Sequence, residues 1–432
     1  MFWDKLNYPI VGLSPMDGVT DAPMRFITKK YGKADVIYTE FVSAEGLWRI
    51  KKRGEMENKI WRNLLYDESE RPVIAQLFGS DPDSFFEAAK IVCEMGFDGI
   101  DINMGCPSPG LEKRGGGAGI MRDMGLAGEV IEATRRGTLD NVTRCHGDTG
   151  EIREVPVSVK TRIGSSQPDE SWWKFLAGQK LPAVAMHGRT FKQLYKGEAD
   201  WGALLKAAEI IRQNGTKFLG NGDLQKVTQC HGDTQTRCHG DTQTRCHGDT
   251  QTQGHGDTQT QGHGDTNSSE GTTVVRDKKF VVMLKNGKEV DLTGKMDGVL
   301  IGREALGNPW VLRKVTQGHG DTQTQCHSDT QTRCHSDTQT QCHSDMVTLK
   351  ERLMVMVEHA KKYEEIFKEL ENSRNRGLKA GGKFQFFPMR KHLVGYTKCF
   401  DGSSGLRKKL VMADSAKDVE RLTSEFLKKV VS

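Results

Sequence analysis

Apolar and polar positions along the chain follow two different periods. Short apolar runs, each closing on polar or glycine residues, recur at Pro9–Met16, Val36–Ser43, Pro72–Gly79, Gly99–Cys106, Pro156–Gly164, Ala183–Thr190, Lys217–Leu224 and Gly298–Ala305. Their near-continuous apolarity is that of parallel strands covered on both faces. Between them lie stretches of helical spacing. Over Pro82–Met95, Phe85, Phe86, Ala89, Ile91 and Val92 fall largely on one face, and Trp201–Gln213 reads the same way. Strand alternating with helix eight times predicts an α/β fold, a closed (β/α)8 TIM barrel. From Val347 the spacing is wholly helical through Leu349, Leu353, Met356, Val357 and Ala360, and Val411–Val431 closes the chain with an amphipathic stretch. A C-terminal helical domain follows. Around 272–293, a β-type run turns on Asn286-Gly287 and predicts a hairpin inserted between strands seven and eight.

A third pattern has almost no apolar residues. An eight-residue repeat of the type Thr-Gln-Thr-Arg-Cys-His-Gly-Asp occurs once near 143–149 and in arrays at 228–266 and 316–345. The expected organisation is a barrel over 1–315 interrupted by two such insertions, a repeat linker over 316–345, and the helical domain over 346–432. The arrays explain why only 36% of the 432 residues are hydrophobic. They also hold seven of the ten cysteines, leaving Cys93, Cys106 and Cys399 to the fold. Cys-His pairs suggest zinc, but the tracts lack apolar residues to fold around an ion and several copies carry Gly for Cys (Gly254, Gly262, Gly318). Disorder is the expected state and no metal is expected.

In a parallel barrel, chemistry collects at the C-terminal strand ends. Those ends carry Pro15, Met16 and Asp17 after strand one, Glu40 after two, Gln76 on three, Asn103 and Cys106 after four, and Lys160 and Arg162 on five. His187 and Arg189 follow strand six, Asn221-Gly222-Asp223 strand seven and Gly302-Arg303 strand eight. The glycine-rich ends of the last two strands suit a phosphate, with backbone N–H groups in close approach and an arginine supplying charge. A phosphorylated cofactor is implied. Lys160 and His187 would lie between that phosphate and the barrel axis. A thiol in the position of Cys106 can serve as proton donor, nucleophile or metal ligand.

Taken together, these motifs resemble the tRNA-dihydrouridine synthases, flavin enzymes that reduce the C5–C6 double bond of uridines in tRNA. The resemblance rests on Ser14-Pro15-Met16-Asp17-Gly18-Val19-Thr20-Asp21, Tyr38-Thr39-Glu40-Phe41-Val42-Ser43-Ala44 and Asn103-Met104-Gly105-Cys106-Pro107. It continues through Val159-Lys160-Thr161-Arg162-Ile163-Gly164, His187-Gly188-Arg189-Thr190, Asn221-Gly222-Asp223 and Gly302-Arg303, with Arg390-Lys391-His392 in the helical part. It implies FMN held by Pro15, Met16, Asp17, Gln76, Lys160, His187, Asn221, Gly222, Asp223, Gly302 and Arg303. NADPH or NADH is implied as reductant, and Cys106 as general acid. Asn103 would meet the uracil edge, Arg162 or Arg189 would stabilise charge or grip a phosphate, and Arg390, Lys391 and His392 would contact tRNA, together with Lys398, Arg407, Lys408 and Lys409.

A formal charge of +5 permits a polyanionic partner, with Lys and Arg concentrated in the C-terminal part. The N-terminus lacks a basic segment followed by an apolar one, and no run has bilayer length, so a cytoplasmic protein without membrane or obligate protein partner is expected. Two rival readings remain. One is an FMN barrel oxidoreductase acting on a free pyrimidine or small enone, the other a catalytically inactive RNA-binding or metal-binding relative.

Overall fold

The computed structural model describes residues 1–54, 59–108, 110, 115–142, 155–230, 279–317, 347–374 and 384–431. The repeat copy at 143–149, positions 231–266 and 318–345 of the arrays, and 272–278 of the expected hairpin lie outside the described residues.

The chain runs β1 (Ile10–Leu13), α1 (Ala22–Gly32), β2 (Val36–Tyr38), β3 (Val42–Ser43), α2 (Ala44–Arg53), α3 (Lys59–Asn63), β4 (Val73–Phe78), α4 (Pro82–Glu94) and β5 (Gly99–Met104). It continues through α5 (Met124–Val142), β6 (Val157–Arg162), α6 (Glu170–Gly178), β7 (Ala183–His187), α7 (Trp201–Arg212), β8 (Lys217–Asn221), β9 (Leu224–Cys230), β10 (Lys279–Leu284), β11 (Glu289–Asp291), β12 (Gly298–Ile301) and β13 (Lys314–Gln317). Four helices follow: α8 (Leu349–Arg374), α9 (Arg390–Tyr396), α10 (Ser403–Leu410) and α11 (Ala416–Val431).

The expected barrel is borne out. Eight parallel strands, β1, β2, β4, β5, β6, β7, β8 and β12, close on themselves because β2 pairs with both β1 and β4 while β1 pairs with β12. Aspartates start four of the helices between them. Asp81 Oδ2 accepts from Ser84 N at 3.0 Å to cap α4, and Asp200 Oδ1 accepts from Ala203 N at 2.8 Å to cap α7. Inside the barrel, Ile10, Val36, Ile74, Ala185, Leu219 and Leu300 pack on Trp3 of an N-terminal turn, which stoppers the lower end. Gly12 is required there, because an added Cβ would stand 2.6 Å from Val36 Cγ1 and 2.7 Å from Leu300 Cδ2. With the lower end filled by apolar side chains, polar groups are left to the C-terminal mouth.

The helical C-terminal region has a core of its own, shared with α1 through Ile27. It is fastened to the barrel by Lys30–Glu358 at 2.7 Å and by Arg62, which donates to Tyr363 Oη at 3.1 Å. Two details differ from the sequence reading. The closing amphipathic helix starts later than Val411: α10 ends at Leu410, and α11 begins only after Ser415, whose Oγ accepts from Asp418 N at 3.1 Å. Residues 228–230 and 316–317, assigned to the arrays, are strand. They extend β9 and β13, which pair in parallel, while β10 lies antiparallel to both β9 and β11 in a separate four-stranded sheet. Backbone pairing there does what the polar side chains cannot. Among the described residues, no helix is long and apolar enough to cross a membrane.

Candidate active site

A cavity of about 970 Å³ opens at the C-terminal mouth. Its walls contain Pro15, Met16, Asp17, Gln76, Asn103, Cys106, Lys160, Arg162, His187, Asn221, Gly222, Asp223, Gly302 and Arg303, so most of the expected site residues converge. Arg189 lies behind the wall, and Arg390, Lys391 and His392 are in the helical region.

Cys106 follows β5 on a loop fixed from three sides. Asn103 Oδ1 accepts from Cys106 N at 2.8 Å and Gly105 N at 3.1 Å, and the Cys106 carbonyl accepts from Ala118 N at 3.0 Å. Gly117, at φ +57°, leaves room for that last contact, since a Cβ would fall 2.9 Å from the Cys106 oxygen. The half-buried thiol is pushed up from its ordinary range, chiefly by burial and also by the Asp17 carboxylate, against the pull of the Ser108 N–H, Arg162 and Lys160. It is therefore a protonated thiol at neutral pH.

Below the loop runs a buried polar chain. Asn103 Nδ2 donates to Gln76 Oε1 at 3.0 Å, Gln76 Nε2 to Asp101 Oδ2 at 2.7 Å, and Ser158 Oγ to Asp101 Oδ1 at 2.7 Å. Burial raises Asp101 to about 6 despite those donors. Sequence reasoning missed Asp101; its signal was a lone carboxylate inside the apolar run Gly99–Met104. Gln76 has both ends of its amide engaged, and Asn103 is committed to shaping the thiol loop. Register places Lys160 beside Asn103, and its ammonium makes no hydrogen bond or ion pair among the described residues. Burial and the nearby Arg162 lower it to about 8.

The arginines divide into tied and free. Arg162 Nε donates to the Gly105 carbonyl at 2.8 Å, and its Nη1 to those of Thr190 and Leu194 at 3.0 and 2.8 Å, pinning the thiol loop to the loop after β7. Arg189 is ion-paired with Asp223 at 2.6 Å, and Asp223 Oδ2 also accepts from Ala199 N at 2.8 Å. Neither Arg189 nor the Asp223 carboxylate is thus available to a ligand as a free charge. Arg303 instead rests over the Tyr195 ring, 5.1 Å from its centre, without an ion pair among the described residues. Burial, with Lys160 and the arginines around it, pushes His187 well below its ordinary range and leaves the imidazole neutral.

In the helical region, His392 is fully buried against Asp21 and Arg390 is paired with Asp414 at 2.6 Å. Both therefore differ from the expected exposed phosphate contacts. Lys391 is half-buried, its Nζ facing Gly18, while Lys398, Lys408 and Lys409 are exposed.

The residues fit a phosphorylated flavin. Lys160 and Arg303, which make no ion pair among the described residues, share a cavity with Gly302, where the backbone is bare: a Cβ there would meet nothing closer than Met16 Sδ at 3.6 Å.

This combination defines the class: a (β/α)8 barrel with a ligand site at its C-terminal mouth and a helical appendage. The chain belongs to the dihydrouridine synthase (Dus) family, whose model matches residues 12–242 and 285–430. The probable tRNA-dihydrouridine synthase of Staphylococcus aureus (strain COL) is 33% identical over 228 residues, 52% of this chain and 63% of that protein. Probable tRNA-dihydrouridine synthase 2 of Bacillus subtilis (strain 168) is 32% identical over 202 residues, 46% of this chain and 56% of that one. The chain thus spans less than two thirds of the length of these curated relatives. Among solved structures, morphinone reductase superposes with a TM-score of 0.36 at 12% identity, over 72% of this chain and 87% of that one. So slight a likeness bears on neither cofactor nor substrate.

Proposed function

We propose that the protein is a tRNA-dihydrouridine synthase, reducing the C5–C6 double bond of uridines in tRNA. The observation that carries this reading is a protonated thiol, Cys106, on the wall of a cavity that also holds Lys160, which has no hydrogen-bond or ion-pair partner among the described residues. Family membership supports it.

In this reading FMN, re-reduced by NADPH or NADH, would supply the hydride that adds to C6 of the uracil. Gly222, Gly302 and Arg303 would hold its phosphate together with Asn221 and the Asp223 backbone, and Pro15, Met16, Asp17, Gln76 and His187 would line the space for its ring. Lys160 would offer that ring a positive charge. Cys106 Sγ gives its proton to C5, and the resulting thiolate, flanked by Lys160 and Arg162, takes up a proton from solvent. Asn103 and Arg162 keep the sulfur in place, and Arg189 with Asp223 steadies the loop beyond β8. The uridine must leave its stack to reach the cavity. Lys391, Lys398, Lys408 and Lys409 are the cations offered to the tRNA backbone.

The test is dihydrouridine mapping by mass spectrometry in tRNA incubated with purified protein, FMN and NADPH. Cys106→Ala should retain the yellow cofactor while losing on the order of 10²-fold or more in rate. Full-rate modification by that variant would remove Cys106 from its role. Colourless wild-type protein that takes up no flavin would remove the reading itself, in favour of an inactive RNA-binding relative.

A further inference from the structure

Where the helical region meets the barrel, three polar side chains are enclosed together, with one close polar contact among them, His392 Nε2 to Asp21 Oδ2. Asp21, on the loop from β1 to α1, is 8% exposed, His359 of α8 is 1% and His392 of α9 is 0%. One donor atom from each lies within 4.8 Å of the other two, and this is the only such His/Cys/Asp/Glu cluster found among the described residues. His359 Nε2 and both ring nitrogens of His392 have no hydrogen-bond partner. Three orphaned nitrogens in one buried contact are costly.

An ordinary Asp–His hydrogen bond does not account for them. His392 Nε2 stands 3.4 Å from Asp21 Oδ2, beyond the 2.7–3.2 Å range of a good N–H···O bond. It matches another geometry: two ligands on a tetrahedral zinc, with bonds of about 2.0–2.1 Å, stand roughly 3.3–3.4 Å apart. The surroundings orient the donors as they would ligands. His359 Nδ1 lies 3.2 Å from Tyr396 Oη, and the tautomer that donates this proton leaves the Nε2 lone pair facing the cluster. Asp21 Oδ1 is occupied by Met24 N at 3.0 Å, as the cap of α1, so Oδ2 is the oxygen left over.

We propose that Asp21, His359 and His392 form a site for a divalent first-row metal such as Zn2+, which joins the barrel rim to the helical region. Two imidazoles and a carboxylate are a sufficient hard-to-borderline donor set for such an ion, with a fourth position left for water. Bound metal satisfies two of the three orphaned nitrogens. It also crosslinks α1 to α8 and α9, which fixes the orientation of the helical surface relative to the mouth.

The chain's thiols are alternative ligands, so the test caps them. Full-length protein is stripped with chelator, treated with N-ethylmaleimide, and titrated with Co2+ and with Zn2+. Asp21→Asn, which keeps the helix cap, and His359→Gln are treated alongside. Wild type should take up one equivalent more than either variant. It should also show the visible d–d bands of nitrogen and oxygen ligation without a thiolate charge-transfer band, and a metal-dependent rise in Tm that both variants lack. Equal uptake, together with Tm values indifferent to metal in wild type and variants, would overturn the site. Should His359→Gln fail to fold, Asp21→Asn and the capped wild type decide between the same two outcomes.

Discussion

Lys160 is the residue at which burial and charge conflict most directly, and that conflict sets a pH dependence. Its folded value of about 8 lies below the ordinary value of 10.5, so the fold favours the neutral amine. The cation is present below pH 8 and is lost as pH rises through it. Binding of FMN to apoprotein should therefore weaken between pH 7 and 9, and Lys160→Met should bind more weakly and show a flatter profile across that interval. Fluorescence titration of the flavin measures both, and an unchanged profile in the variant would remove Lys160 from the site. Single residues were also where the sequence was least legible. Polarity at a strand end shows that a side chain has a use, not who its partner is. Arg162, Arg189 and Arg303 are the same residue type at strand ends, yet carbonyls and Asp223 have claimed the first two. His392 could have been placed correctly, because Met389, His392, Leu393 and Tyr396 recur at helical spacing and all are buried.

At the level of elements, the end of β8 is the most constrained. Gly222 adopts φ +126°, and a Cβ there would stand 2.8 Å from Ala199 Cβ and 3.0 Å from His187 Cδ2. Gly222→Ala should cost about 1–3 kcal/mol through strain and overpacking. Because the displaced groups border the cavity, flavin affinity should fall as well. Chemical denaturation and flavin titration test the pair of effects, and a variant with wild-type values in both would contradict the close packing described. The strands themselves were legible in advance: eight apolar runs became eight barrel strands, since continuous apolarity at strand length is what two-sided burial demands. The extra sheet was only half legible. Asn286-Gly287 announced its hairpin, but β9 and β13 run into Thr-Gln sequence, where main-chain pairing leaves no apolar signature.

For the whole molecule, the cavity and the exposed lysines of the helical region must face one folded RNA if the proposed function holds. Lys398, Lys408 and Lys409 are exposed, and reversing all three to Glu should weaken tRNA binding and lower its salt slope by roughly one unit or less per lost phosphate contact. Flavin content should be unaffected. Filter binding at several salt concentrations provides the measurement, and an unaltered slope would move the RNA to another face. Cys230 and Lys279 are antiparallel partners, so the chain departs from the second sheet and rejoins it at a single rung. The two ends of whatever lies between them are held one rung apart, a spacing set by the β9–β10 ladder and not by the number of residues in between.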